Sequence, residues 1–288
     1  MAQKAHTLKQ KNKRESISGF RHIQTLKDIS EFELMKNGLR ILYMHIPGSN
    51  TVTTNIVYLV GSRDEAPGRT GLAHMLEHML FKPLHDGTGK KIKELGHKTL
   101  EDAGALINAT TWLDRTNYFF TVPLSYFKKA LALEARRMRN LLFIDKEFLL
   151  ERANVVSEYE MHAGIPLDAL MTEVIQSAFV SHGYGHETIG HKPDIQTMAL
   201  KNLQAFYDTY YWPNNAVLTI VGDITLIDAL TGVRESFGAI SRSPHAIPEE
   251  AIIEPVQEGE RRVEIIRENP LNLFAVSYKV PHGRSYEW

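Results

Sequence analysis

Apolar and polar residues alternate with a period of two over several short stretches early in the chain, the pattern of half-buried strands. EFELMKNGLRILYMHIP reads as a hairpin, two strands about the Asn37-Gly38 dipeptide that tight strand-to-strand turns favour. TVTTNIVYLV (51–60) is β-branched and alternating, a third strand; LINATTW and NYFFTV read as two more, joined about 113–116. The period then lengthens, and apolar residues recur at helical spacing over 124–142, 146–162, 168–180 and 194–211. AVLTIVGD (216–223) returns to strand, followed by a helix at 225–237. GSRDEAPGRTG (61–71) is turn-rich, with Thr70 a fitting N-cap for the helix after it, and FKPLHDGTG is a loop before a helical stretch ending near Ala103-Gly104. Strands gather early and helices late, without strict alternation. That order predicts an α+β fold, an antiparallel or mixed sheet packed against a layer of helices, rather than a doubly wound parallel sheet.

Proline and serine thicken in SRSPHAIPEEAIIEP, and RRVEII and LFAVSYKVP follow as strand-like segments. The expected organisation is a basic tail over 1–20, a main domain over 21–242, a linker over 243–260, and over 261–288 a stub or the start of a second domain. No internal repeat is evident.

Composition narrows the chemistry. The chain is 43% hydrophobic and 23% charged, with a net charge of −1, which fits a globular protein with a real core and no nucleic-acid surface. No apolar run approaches the roughly 18 residues a membrane span needs. There is no cysteine, so disulfides, thiolate nucleophiles and Cys-based zinc sites are excluded, and any metal must be held by His and carboxylate. The N-terminal lysines Lys4, Lys9, Lys11 and Lys13 have no apolar segment beside them, so they are not a secretory signal. A cytoplasmic location is expected, with the mitochondrial matrix as the alternative.

The feature that needs explaining is GLAHMLEHMLF (71–81). His74, Glu77 and His78 interrupt an apolar helical run, and polar side chains there are costly to bury without partners. Residues four apart share a helix face, so His74 and His78 present both imidazoles to one point, as two ligands of a tetrahedral zinc would. Glu77 stands at the edge of that face. Catalytic zinc sites supply three protein ligands and leave the fourth position for water, whose proton a nearby carboxylate takes. A third ligand is best sought on IDKEFLLERANVVSEYEMH, with Asp145 as its N-cap. Glu151 and Glu158 are seven apart and share a face, as a ligand and a supporting carboxylate would; Glu160 turns away. His182, His186 and His191 lie in a glycine-rich loop, and GTGKK lacks the spacing of a phosphate-binding loop.

These segments resemble a known family. His-x-x-Glu-His inverts the usual zinc-peptidase order and is the inverzincin signature of pitrilysin, insulysin and the mitochondrial processing peptidase β subunit. LVGSRDEAPGRTGLAHMLEHMLFK, GALINATTWLDRTNYFFTVP, ERANVVSEYE, YGHETIGHKPDIQTM and FYDTYYWPNNAVLTIVGD are similar to that family, in its order, over most of the chain. The resemblance implies a zinc metalloendopeptidase that cleaves small or unfolded peptides, with one zinc per chain. It implies His74, His78 and Glu158 as metal ligands, Glu77 as general base and Glu151 as the supporting carboxylate. It places Asn108, Ala109 and Thr110 on an edge strand where the peptide docks as an added strand. The gap from His78 to Glu158 is longer than the family's usual one, and PLHDG after Lys82 is expected to hold the extra residues. Family members carry a second homologous half, so a second-half subunit or dimer partner is expected for full activity. The alternative is a non-catalytic peptide-binding or scaffold subunit.

Overall fold

Seven strands form one mixed sheet: β1 (Phe20–Leu26), β2 (Ile29–Leu34), β3 (Leu39–His45), β4 (Thr51–Tyr58), β5 (Leu106–Thr111), β6 (Thr116–Pro123) and β7 (Ala216–Gly222). Their spatial order is β1-β2-β3-β7-β4-β6-β5. Only β3 and β7 run parallel; every other neighbouring pair is antiparallel. The structure, a computed structural model, describes residues 17–92, 96–249, 252–267 and 272–280. The helices are α1 (Leu72–Met79), α2 (Gly96–Glu101), α3 (Phe127–Arg139), α4 (Asp145–Ala163), α5 (Pro166–Ala178), α6 (Lys192–Thr197), α7 (Leu200–Tyr210) and α8 (Leu226–Phe237). The α+β architecture is the one the strand-then-helix order predicts.

Alternation decides which face of the sheet is core. Val52, Ile56 and Tyr58 of β4 are buried, as are Tyr118, Phe120 and Val122 of β6 and Leu218 and Ile220 of β7. Register aligns them in rows: Ile56 lies between Tyr118 and Leu218, and Thr54 between Phe120 and Ile220. A one-residue slip would turn every one of these side chains outward, so the register is strongly specified. α1 packs on β5 and β6 and against α4 and α7, at the end of the sheet where β5 forms the edge.

α3 carries an ion pair buried in the core. Arg137 and Glu134 are each 1% exposed and meet at 3.4 Å, and the guanidinium lies 4.6 Å from the Phe81 ring and 5.0 Å from that of Phe120.

Several expected boundaries move. Thr70 is not the N-cap of α1; Gly71, in the left-handed region at φ +88°, holds that place, and the Thr70 hydroxyl donates instead to Asp194 Oδ2 at 2.7 Å. Asp145 is the first residue of α4, with extended Ile144 as its cap. The single helix expected over 194–211 is two, because Met198 and Ala199 are extended between α6 and α7. β1 is a strand the alternation did not announce, since six of its seven residues are exposed. RRVEII and the described part of LFAVSYKVP make no strand, and Ile266 and Phe274 point to solvent; among the described residues no neighbouring strand pairs with them. Residues 1–16 of the basic tail lie outside the described residues.

Candidate metal centre

α1 is only eight residues long, and its sequence divides it sharply. Leu72, Ala73, Met75, Leu76 and Met79 are buried and fix its back against the core. His74, Glu77 and His78 occupy the remaining face, which looks toward α4 and β5. The side chain of His74 is 13% exposed, that of His78 26% and that of Glu158 32%, so the group is sheltered yet reachable by water.

The three side chains converge. His74 Nε2 stands 3.8 Å from Glu158 Oε1, and His78 Nε2 stands 3.6 Å from Glu158 Oε2. One potential ligand atom from each residue lies within 4.8 Å of the others. These separations exceed normal hydrogen bonds. They are close to the roughly 3.3 Å edge of a tetrahedron whose corners lie 2.0–2.1 Å from a zinc ion. Two nitrogen donors and one carboxylate are also the donor set zinc takes at catalytic sites. The residues therefore fit the metal that the sequence pattern predicts.

Protonation is set by the surroundings. Burial, helped by the nearby rings of His78 and His162, holds the His74 imidazole down at about 3, so it is neutral near pH 7 with a free lone pair. His78 Nδ1 lies 3.2 Å from Glu151 Oε2. A carboxylate can only accept, so Nδ1 donates to Glu151 and Nε2 is the ring nitrogen turned toward Glu158. Glu151 is itself held as the anion. Burial pushes its carboxyl up, but Lys82, with Nζ at 2.5 Å, together with His78 and Asn154, outweighs that and leaves it below the usual range. Burial raises the Glu77 carboxyl above its ordinary value; the Thr111 hydroxyl and His78 oppose this, and the charge of Glu158 adds to it.

Thr111 is a contact that the sequence pattern did not single out. Its hydroxyl donates to Glu77 Oε2. Thr111 lies on β5 in the same alternation as Ala109, and both are buried on the side of α1, whereas Asn108 and Thr110 are exposed. Of the three expected docking residues only Ala109 therefore faces the centre. Asn108 Oδ1 accepts from the amide of Ala109, and the Thr110 hydroxyl donates to Asn117. β5 is nonetheless the edge of the sheet. Lys82 was the other unrecognised neighbour; only tertiary packing brings it to Glu151. Glu160 turns away and pairs with Lys192 at 2.7 Å. Among the described residues, His182, His186 and His191 form no further group able to hold a metal.

Comparison with known proteins gives the family of the chain. Residues 40–192 match the pattern of insulinase (peptidase family M16), and residues 197–288 match that of the peptidase M16 inactive domain. The zinc protease PqqE of Helicobacter pylori is 32% identical over 264 residues, covering 90% of this chain and 59% of that protein. The crystal structure of a protease from Helicobacter pylori superimposes with a TM-score of 0.73 at 32% identity, over 79% of this chain and 54% of that one. Pitrilysin shares the fold, with a TM-score of 0.70 at 22% identity over 83% of this chain and 26% of its own. The chain thus spans about three fifths of the curated relative and about a quarter of pitrilysin. Among the described residues no helix is long and apolar enough to cross a membrane. With more than half of its length matched by the first of these patterns, the chain belongs to the insulinase family of peptidases, family M16.

Proposed function

We propose that this chain is the metal-bearing half of a zinc-dependent endopeptidase that hydrolyses small or unfolded peptides. His74, His78 and Glu158 would hold the ion, and when bound, zinc polarises a carbonyl and acidifies water. Glu77 is the general base: one carboxylate oxygen is fixed by the Thr111 hydroxyl, which leaves the other free to take the proton of the attacking water. Glu151 fixes the proton of His78 on Nδ1 and so aims its other nitrogen. The substrate backbone adds to the open edge of β5, where the small Ala109 keeps the wall low beside Thr111. A homologous second half, on the same or another polypeptide, completes the substrate chamber.

The observation that carries this reading is the convergence of two imidazole nitrogens and a carboxylate from α1 and α4, beside a carboxylate tied to the sheet edge. Glu77→Gln is the decisive variant. It is expected to keep one zinc per chain, measured by elemental analysis, while cleavage of a quenched fluorescent peptide, assayed with a second-half partner, falls to background. Undiminished turnover in the zinc-loaded variant would refute the role of Glu77. A second reading, a peptide-binding subunit without catalysis, draws on the match of residues 197–288 to the inactive-domain pattern. It predicts that wild type and Glu77→Gln bind peptide equally and that neither cleaves it with any partner.

A further inference from the structure

Glu65 takes no part in the reaction outlined above, yet its side chain is fully buried, 0% exposed. Its Oε2 accepts the amide of Gly71 at 2.7 Å and its Oε1 accepts the amide of Ala73 at 2.7 Å. These belong to the first turn of α1, whose amides have no partners within the helix. A serine or asparagine cap satisfies one such donor; this carboxyl group satisfies two, and these amides oppose the burial that pushes it well above the usual carboxylate range.

That turn matters because it carries His74, the third residue of α1. Two turns of helix are far too short to hold themselves in water, and fraying would begin at the end where His74 sits. A displacement of about half an ångström is enough to spoil a metal or catalytic constellation. The segment after α5 backs the carboxylate. Asp194 Oδ2 accepts both the amide and the hydroxyl of Thr70, at 3.0 and 2.7 Å, and the Thr70 oxygen accepts the amide of His191 at 2.7 Å. Gly71 admits the chain so closely that a β-carbon there would lie 2.6 Å from the carbonyl of Ile189. His186 Nδ1 donates to the carbonyl of Glu187 at 2.9 Å, and its Nε2 lies 4.0 Å from Glu65 Oε2. The histidine-rich loop is thus built around the base of α1.

The geometry points to Glu65 as a positioning residue for the metal. It clamps the first turn of α1 so that His74 Nε2 stays within bonding reach of the ion, and residues 186–194 form the opposing jaw. This rests on the zinc reading above, and the test keeps the two apart by reading metal binding directly. Glu65→Gln preserves shape but sets an amide N–H against the N–H of Gly71 or Ala73. In the full chain it is expected to weaken zinc about tenfold or more in chelator competition and to alter the visible absorption of the cobalt-substituted protein. Leu230→Ala, in the core of α8 and away from the centre, is expected to lower the melting temperature while leaving affinity and spectrum as in wild type. Asp194→Asn, which weakens the jaw alone, is expected to move both readouts in the same direction by a smaller factor, and it decides the matter should Glu65→Gln fail to fold. Wild-type affinity and spectrum in the folded Glu65 variant would overturn the clamp alone, as would equal changes in Leu230→Ala. A wild-type chain that takes up neither zinc nor cobalt would overturn the zinc reading, and the clamp with it.

Discussion

Replacing Glu151 by glutamine tests how far the proposed centre depends on a residue that would not itself touch a bound ion. The carboxylate has three partners on two oxygens: His78 Nδ1 at 3.2 Å on Oε2, and Lys82 Nζ at 2.5 Å with Asn154 Nδ2 at 3.2 Å on Oε1. All three are donors. Glutamine offers one acceptor oxygen and one donating NH2, so it satisfies only one side at a time. If the oxygen faces Lys82 and Asn154, the NH2 meets His78 Nδ1, which must then accept. The ring proton moves to Nε2 and blocks the atom that faces Glu158. If the oxygen faces His78, an NH2 group opposes an ammonium. Either arrangement loses at least one hydrogen bond to a charged group, about 1.5–3 kcal/mol, and each 1.4 kcal/mol is tenfold in affinity. Zinc is therefore expected to bind about 10- to 100-fold more weakly, in line with the usual effect of removing such supporting groups. Competition with a chromophoric chelator near neutral pH reads this, with circular dichroism as the check on folding. Lys82→Met should cost less, because His78 keeps its acceptor. A folded Glu151→Gln variant within about twofold of wild type, or a larger loss in Lys82→Met, would refute the assignment.

Two further outcomes follow from the core. Burial, against the pull of Arg137, lifts the Glu134 carboxyl from 4.5 to about 7; the folded state then holds more protons than the unfolded between those values, so stability falls as pH rises through that window and levels off above it. The full effect is about 3 kcal/mol at most, and Glu134→Gln should remove that slope from the urea midpoints; an unchanged slope would show that the carboxyl is not the titrating group. Gly71→Ala places a β-carbon at φ +88° and 2.6 Å from the Ile189 carbonyl. It should destabilise by about 2 kcal/mol or more, seen as a lower melting temperature, and a neutral effect would mean that the 189–190 turn yields freely.

What was legible in the sequence was local. The Asn37-Gly38 turn, the alternation of β4 and the imidazoles four apart on α1 are all set by residues close in the chain, where backbone geometry leaves few alternatives. β1 escaped because an edge strand with both faces in water needs no apolar alternation. The break between α6 and α7 escaped because an apolar period persists across two helices that pack on the same core. Among the site residues, Glu151 and Glu158 could be placed on one face of one helix, but nothing local says that this face meets α1; the family resemblance supplied it. Thr111, Lys82 and Glu65 carry no local signature. Thr111 reaches Glu77 only through the register of β5 on β6, and Lys82 reaches Glu151 only through the packing of α1 on α4.

The same facts explain how an apolar helix tolerates three polar side chains. Two are matched by hydrogen bonds from distant parts of the chain, Glu77 by Thr111 on the sheet edge and His78 by Glu151 on α4, and His74 faces the carboxylate of Glu158, two turns further along the same helix, at 3.8 Å. None of these partners is near in sequence, so none is present until the sheet has its register and α4 has docked. An isolated α1 would present two histidines and a glutamate with no preferred direction. In the folded chain their directions are over-determined from behind by Met75, Leu76 and Met79 and from in front by four separate oxygen atoms. The arrangement is therefore a property of the whole fold rather than of the motif, and binding of an ion there would be coupled to the folding of every element that supplies a partner.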